Sequence, residues 1–282
     1  MKPFIKKFES GISKLIITFH LLTKKDKILV AVSGGKDSTT ILYVLKKLGF
    51  PVEAITIDAS IGNYSKHNLE NIRNFCKNQK IMLHIVSFRK EFGYSLCYIR
   101  DLLKSKGIQW NSCTLCGVLK RYLLNKYTRK LKATKLVTGH NMDDVAQSIM
   151  MNFLRNQLEM SSRLGPITGI INDKKFVSRV KPLYLTAEAD VERYSKVMNF
   201  PVKYGRCPCS RDAYRNTVRN LLHEYELKHA GIKKRIVIWY LKNLKAIKEH
   251  YYNEEKLRYC IQCGEPSKRE MCMACFIISK LK

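Results

Sequence analysis

The sequence predicts an α/β domain built on a doubly wound parallel sheet, followed by basic helices and a small cysteine module. Three observations predict it. Short aliphatic and β-branched runs alternate with stretches of helical periodicity, as in parallel sheets covered on both faces. The first of these runs ends at paired glycines in Ser33-Gly34-Gly35-Lys36-Asp37-Ser38, and a helical pattern begins directly after them. Two C-x2-C pairs close the chain.

Taken in order, the opening segment carries an apolar stripe (Phe4, Phe8, Ile12, Leu15, Ile16, Phe19) with lysines on its other face, which predicts a helix docked on the core. Ile28-Leu29-Val30-Ala31-Val32 is the first strand. Residues 38–48 continue as a helix, with Ile41, Leu42, Val44, Leu45 and Leu48 on one side. Between them the glycine turn aims backbone N–H groups and a helix N-terminus at one point, an arrangement suited to phosphate. Gly34 and Gly35 permit close approach, and Ser33 and Ser38 add hydroxyls. Further strands are predicted at Ala54-Ile55-Thr56-Ile57, at Met82-Leu83-His84-Ile85-Val86 and at Lys135-Leu136-Val137-Thr138. Helices are predicted over 66–79, 94–105, 117–131, 143–155 and 186–200, and 161–180 as loop-rich. Basic helices follow over 212–229 and 234–250. Such a sheet binds ligands at the carboxyl ends of its strands, where Ser33 onward, Asp58 and Gly139-His140-Asn141 converge. The predicted organisation is an N-terminal helix (1–27), a phosphate-binding α/β domain (28–205), a basic helical extension (206–255) and a ribbon (256–282).

The chain has 282 residues, with 52 Lys and Arg against 23 Asp and Glu, a formal charge of +29. That surplus points to a polyanion, nucleic acid first. No apolar run approaches the ~20 residues that span a bilayer and no secretory pattern opens the chain, so a soluble cytoplasmic protein without membrane contact is expected.

Eight of the ten cysteines cluster, which in such a protein indicates metal or redox chemistry. Cys76 and Cys97 stand apart and are expected to be small buried hydrophobes. Cys260-x2-Cys263 and Cys272-x2-Cys275, with Gly264 and Pro266 in the turn, have the spacing of a tetrahedral Zn2+ ribbon. So short a segment has too little core to fold unaided, and metal binding would supply its folding energy. Cys113-x2-Cys116, ahead of a helix bearing Lys120, is by itself compatible with zinc, an iron–sulfur cluster or a redox pair.

SGGKDS after a hydrophobic strand has neither the P-loop nor the dinucleotide-fingerprint spacing. It resembles the PP-loop of the ATP-pyrophosphatase superfamily, whose fold is HUP-like, of adenine nucleotide alpha-hydrolase type. The further set Asp58-x3-Gly62-x-Tyr64, C-x2-C-Gly, Gly139-His140-Asn141-x-Asp143-Asp144 and the late Cys207-Pro208 narrows the likeness. Together these motifs resemble the tRNA 2-thiolation enzymes, the 2-thiouridine and 2-thiocytidine synthetase group, over nearly the whole chain.

The resemblance implies an ATP-dependent sulfurtransferase that adenylates the C2 oxygen of a tRNA uridine and replaces it with sulfur. Ser33, Gly34, Gly35, Lys36, Asp37 and Ser38 would hold the phosphates of ATP with Mg2+. Ile57, Asp58, Gly139 and His140 would frame the adenosine. Cys113, Cys116 and Cys207 would hold a 4Fe-4S cluster with one iron open, and Lys120 with Asp144, beside Asp143, would be the catalytic pair. The implied partners are tRNA, a sulfur donor (sulfide or a ubiquitin-like thiocarboxylate carrier) and a second copy in a homodimer. Lys and Arg at 211–250 would face tRNA, with Arg211, Arg215 and Arg219 on one helix face.

Two departures stand out. Residues 1–27 hold no cysteine, so an N-terminal ribbon common in the family is missing, and Cys209 follows Cys207 where relatives usually have an aromatic residue. Cys209 is an alternative or fourth ligand: four thiolates would close the site as a zinc centre or a fully ligated cluster, shifting sulfur to a relay on Cys113 or Cys207. Simple packing of Cys209 is the third option. Competing functions are a tRNA 2-thiocytidine synthetase, a base-adenylating ligase of the lysidine type and a non-catalytic RNA-binding protein. The terminal ribbon favours uridine, C-x2-C argues against ligation, and the intact motifs argue against a binding-only role.

Overall fold

In the computed structural model, residues 1–168, 175–205, 207–210, 213–251 and 258–281 are described. Helix α1 (Lys2–Thr18) leads into β1 (Ile28–Ala31), α2 (Lys36–Lys47) and β2 (Val52–Asp58). Helix α3 (Gly62–Asn78), β3 (Leu83–Ser87), α4 (Phe88–Phe92), α5 (Leu96–Ser105), α6 (Ser112–Lys130) and β4 (Lys135–Thr138) follow. Next come α7 (Met142–Leu154), α8 (Leu158–Ser161), β5 (Ile167–Thr168), β6 (Ser178–Val180) and α9 (Glu188–Val197). The chain closes with α10 (Tyr214–Lys228), α11 (Ile232–His250), a β7 (Arg258–Tyr259) and β8 (Pro266–Ser267) hairpin, and α12 (Met273–Ser279).

The main sheet has the order β3-β2-β1-β4-β6-β5 and is parallel except for β5. Connections run outward from β1 through β2 to β3 on one side and from β4 to β6 on the other, so a crevice opens at the carboxyl ends of β1 and β4. Alternation along β1 divides the core. Ile28 and Val30 pack with α1, α2, α7, α9, α10 and α11, whereas Leu29 faces α5, α6 and α12. The predicted sheet is therefore present, with both faces covered.

Three local expectations change. The C-x2-C pair does not precede its helix but lies in the first turn of α6, because the Asn111 side chain caps that turn by accepting from Thr114 N–H at 2.8 Å. The segment read as loop-rich contributes β5 and β6; at two and three residues they are too short to show a periodicity. The helix expected over 94–105 begins at Leu96 under a Ser95 cap, and a separate turn, α4, ends before it at Gly93 in the left-handed region.

Candidate active site

The phosphate loop is built by backbone constraints. Gly34 has φ +78°, and a Cβ there would stand 2.4 Å from the Asn68 carbonyl oxygen of α3. At Gly139 a Cβ would meet Ser38 N at 2.8 Å, so β4's end can lie against the start of α2 only as glycine. Ser33 N–H donates to Ser38 Oγ at 3.1 Å, and Gly35 N–H to Ser33 Oγ at 3.4 Å. These contacts fold the loop around the α2 N-terminus, which carries no side-chain cap.

Beside this loop lies a cavity of about 280 Å³. Ser33, Ile57 and Asp58 form its strand-end wall, and Cys113, Cys116 and Lys120 project from α6. Cys207 and Cys209 close the far side. Spacing of three and four on α6 places Cys113, Cys116 and Lys120 on one face. Among the described residues Lys120 has no hydrogen-bonded or ionic partner. Burial, then the neighbouring Cys207, Cys116 and Cys209, raises the Cys113 thiol, which donates to the Cys209 carbonyl at 3.6 Å. Sequence reading missed Ser65 and Asn68, which line the same cavity from α3 with Tyr64. Their signal was the 61, 64, 65, 68 spacing of one helix face.

The two acids after His140 stand outside the cavity lining. Asn141 and Asp144 form a reciprocal capping box at the start of α7. Burial raises the Asp144 carboxyl, opposed by Arg215, whose guanidinium stands 4.0 Å away. Asp143 is buried and braces three helices: it meets Lys233 of α11 at 2.7 Å and accepts from Glu188 N–H of α9 at 2.8 Å. Lys36 is bound to Asp37 at 3.1 Å and Glu188 at 2.8 Å, and Asp37 accepts from Asn141 Nδ2 at 2.9 Å. His140 Nδ1 bonds Thr138 Oγ1 at 2.9 Å.

The expected basic face of α10 does not form as an open stripe. Arg215 bonds the Asp144 carbonyl, Gln147 and Ser148 of α7, and Arg219 pairs with Glu188 at 3.4 Å. Their charges are drawn inward by acceptors that the sequence places far away. Arg211 lies outside the described residues. Cys76 is buried as expected, but Cys97 is half-buried and its thiol hydrogen-bonds that of Cys209.

The two cysteine sets differ in scale. Ligand sulfurs of Cys260, Cys263, Cys272 and Cys275 all lie within 4.8 Å of one another, with Cys263 and Cys272 3.7 Å apart. Four sulfurs at ~2.3 Å from one ion stand roughly 3.8 Å apart, so this set fits tetrahedral zinc. Backbone N–H groups of Cys272, Cys263 and Gln262 outweigh burial and pull the Cys260 thiol down to about 6. Among the described residues no other group of three or more such ligands is gathered that closely. Cys113, Cys116, Cys207 and Cys209 share the cavity lining without forming such a set.

Comparison with known proteins agrees with this geometry. A family model described as a PP-loop domain matches residues 4–225. The tRNA-5-methyluridine(54) 2-sulfurtransferase of Pyrococcus horikoshii is 35% identical over 272 residues, covering 96% of this chain and 84% of that protein. Cytoplasmic tRNA 2-thiolation protein 1 of Dictyostelium discoideum is 30% identical over 287 residues, 99% of this chain and 76% of its own length. Among solved structures, the U34-tRNA thiolase NcsA from Methanococcus maripaludis with its 4Fe-4S cluster superposes with a TM-score of 0.82. It is 29% identical, and the match covers 99% of this chain and 88% of that one.

Proposed function

The chain belongs to the PP-loop family, in its tRNA 2-sulfurtransferase branch, and we propose that it replaces the C2 oxygen of a tRNA uridine with sulfur at the expense of ATP. One observation carries the reading: a single cavity joins Ser33, the first residue of the phosphate loop, to Lys120, which has no partner among the described residues, and to the thiols of Cys113, Cys116 and Cys207. An oxygen-activating half and a sulfur-handling half therefore face the same space.

Ser33 to Ser38 would hold the ATP phosphates together with Mg2+, and Ile57, Asp58, Gly139 and His140 would frame the adenosine. Hydroxide is a poor leaving group, so the base oxygen first attacks the α-phosphate and releases pyrophosphate. Asp144 takes the N3 proton as this oxygen becomes nucleophilic; burial, which raises its carboxyl, makes it the stronger base. Lys120 steadies the negative charge that builds when a sulfur nucleophile adds at C2 and AMP departs. Cys113, Cys116 and Cys207 would hold a 4Fe-4S cluster, which when bound supplies an iron position able to carry sulfide. Cys209 then stays outside the ligand set, next to Cys97. Asp143 acts by bracing α7, and the terminal ribbon holds Zn2+. The sulfur donor is sulfide or a thiocarboxylate carrier protein, the protein works in the cytoplasm, and a homodimer is the working assembly. No helix among the described residues is long and apolar enough to cross a membrane.

Anaerobic purification with iron, sulfide and zinc quantified, followed by ATP-dependent thiolation of bulk tRNA and nucleoside mass spectrometry, tests this reading. Iron at the cavity cysteines and a 2-thiouridine product are expected. Absence of iron together with absence of any thiolated nucleoside would overturn it, and a thiolated cytidine would correct the substrate.

A further inference from the structure

We propose that Arg121, Arg179, Lys181 and Arg215 form a phosphate-binding site at the edge of the cavity, taking either a phosphodiester of the RNA or the phosphates of ATP. The inference rests on the function just proposed and adds the residues that hold the substrate's charge. Arg121 follows Lys120 on α6 and folds back against Gly117, a cavity-lining residue whose added Cβ would stand 3.3 Å from Arg121 Nη1. Among the described residues the Arg121 guanidinium has no hydrogen-bonded or ionic partner. Arg179 of β6 reaches the Arg121 carbonyl at 3.5 Å and Asn125 Oδ1 at 2.8 Å. Lys181 is only 8% exposed; its ammonium donates to the Gly165 carbonyl at 3.1 Å and lies 5.8 Å over the Tyr184 ring. Arg215 comes from the opposite side, bonded to α7.

Lys181, Arg215 and Arg179 therefore gather near His140, with Arg121 beside Arg179, and the nearby acids do not balance them. Asp144 is 4.0 Å from Arg215, while Asp37 is committed to Lys36 and Asn141, and Glu265 to Arg129. The strain shows in the groups themselves. Burial, then Arg121, pushes Arg179 down to about 10; burial, then Arg179, pushes Lys181 down to about 8. His140, although solvent-exposed, is held below its ordinary value by desolvation and then by Lys181, Arg215 and Arg179. Like charges crowded in a partly desolvated crevice repel, and a bound anion turns that repulsion into attraction. The anion's class follows from the donors: planar guanidinium forks match phosphate oxygens two at a time. Position suits the substrate, since Arg121 folds back over Gly117, which lines the cavity beside Cys116.

Arg121→Gln removes charge from a side chain without a partner among the described residues, and Arg179→Gln serves as the second variant. Affinity is measured for unmodified tRNA by fluorescence anisotropy and for inorganic pyrophosphate and ATP by calorimetry. Lys80→Gln is the control; it precedes β3, at the far end of the sheet. About a tenfold loss is expected for Arg121→Gln in one arm, as for a charge-assisted phosphate contact. Loss confined to tRNA identifies an RNA phosphodiester, and loss confined to pyrophosphate and ATP identifies the nucleotide. Affinities within twofold of wild type in both arms, or no greater loss than Lys80→Gln shows, would overturn the site. A wild-type protein that ignores tRNA would instead sink the functional reading, with the pyrophosphate arm still deciding the site.

Discussion

Gly34→Ala and Gly35→Ala change adjacent residues of one motif by the same methyl group, yet the structure separates their effects. At Gly34 the backbone has φ +78°, which costs a residue with a Cβ about 1 kcal/mol. The new methyl would also sit 2.4 Å from the Asn68 carbonyl oxygen and 3.0 Å from its carbon, both backbone atoms of a helix that cannot rotate away. Forcing a methyl into packed backbone adds about 1–3 kcal/mol, for a total of about 2–4 kcal/mol. At Gly35, φ is −92°, and the nearest atom to a Cβ is the Ser33 hydroxyl at 3.5 Å. That is ordinary contact in an allowed conformation, and the change should stay within about 1 kcal/mol of wild type. Urea unfolding gives both values, and calorimetry with ATP reads the phosphate loop directly. Gly34→Ala should lose ATP binding with its stability, whereas Gly35→Ala should keep its stability. Equal stability of the two variants would refute the steric reasoning.

Asp143→Asn leaves the half-buried Lys233 ammonium without its counter-charge and should cost about 1.5–3 kcal/mol in urea unfolding, more than a surface change. Lys181, at about 8 when folded against 10.5 ordinarily, binds fewer protons in the folded state between those values. Stability should therefore rise with pH from about 8 to about 10.5, and Lys181→Met should flatten that rise in thermal melts. Cys207→Ala should lower the iron bound after anaerobic reconstitution, while Cys209→Ala keeps it; iron loss in Cys209→Ala would restore that thiol to the ligand set.

Legibility in the sequence followed the range of the interaction. β1, the glycine turn and α2 were readable because strand, turn and helix each declare themselves within a few neighbouring residues. The ribbon was readable because its four sulfurs are brought together by two local turns. β6 was not, since its three residues become a strand only by pairing with β4 across the sheet. The same holds for side chains. Arg215 and Arg219 read as a free basic face until α7 and Glu188 arrive beside them, and Cys97 read as a core residue until Cys209 folds against it. Asp143 and Asp144 read as one acidic pair, but successive helix positions point about 100° apart, sending one toward α11 and the other toward Arg215.

The ribbon grips α6 along its length. Glu265 pairs with Arg129 near one end, Phe276 packs 6.0 Å from Trp110 just ahead of the other, and Ala274 and Ile277 join the core cluster that holds Leu115, Leu119 and Leu123. The face of α6 opposite this splint carries Cys113, Cys116 and Lys120. The last two dozen residues thus act as a gauge block: their folding fixes how far the reactive helix stands from the phosphate loop. With the zinc proposed for the ribbon withheld, the chain would keep every cavity residue and still lose the alignment on which the proposed sulfur transfer depends.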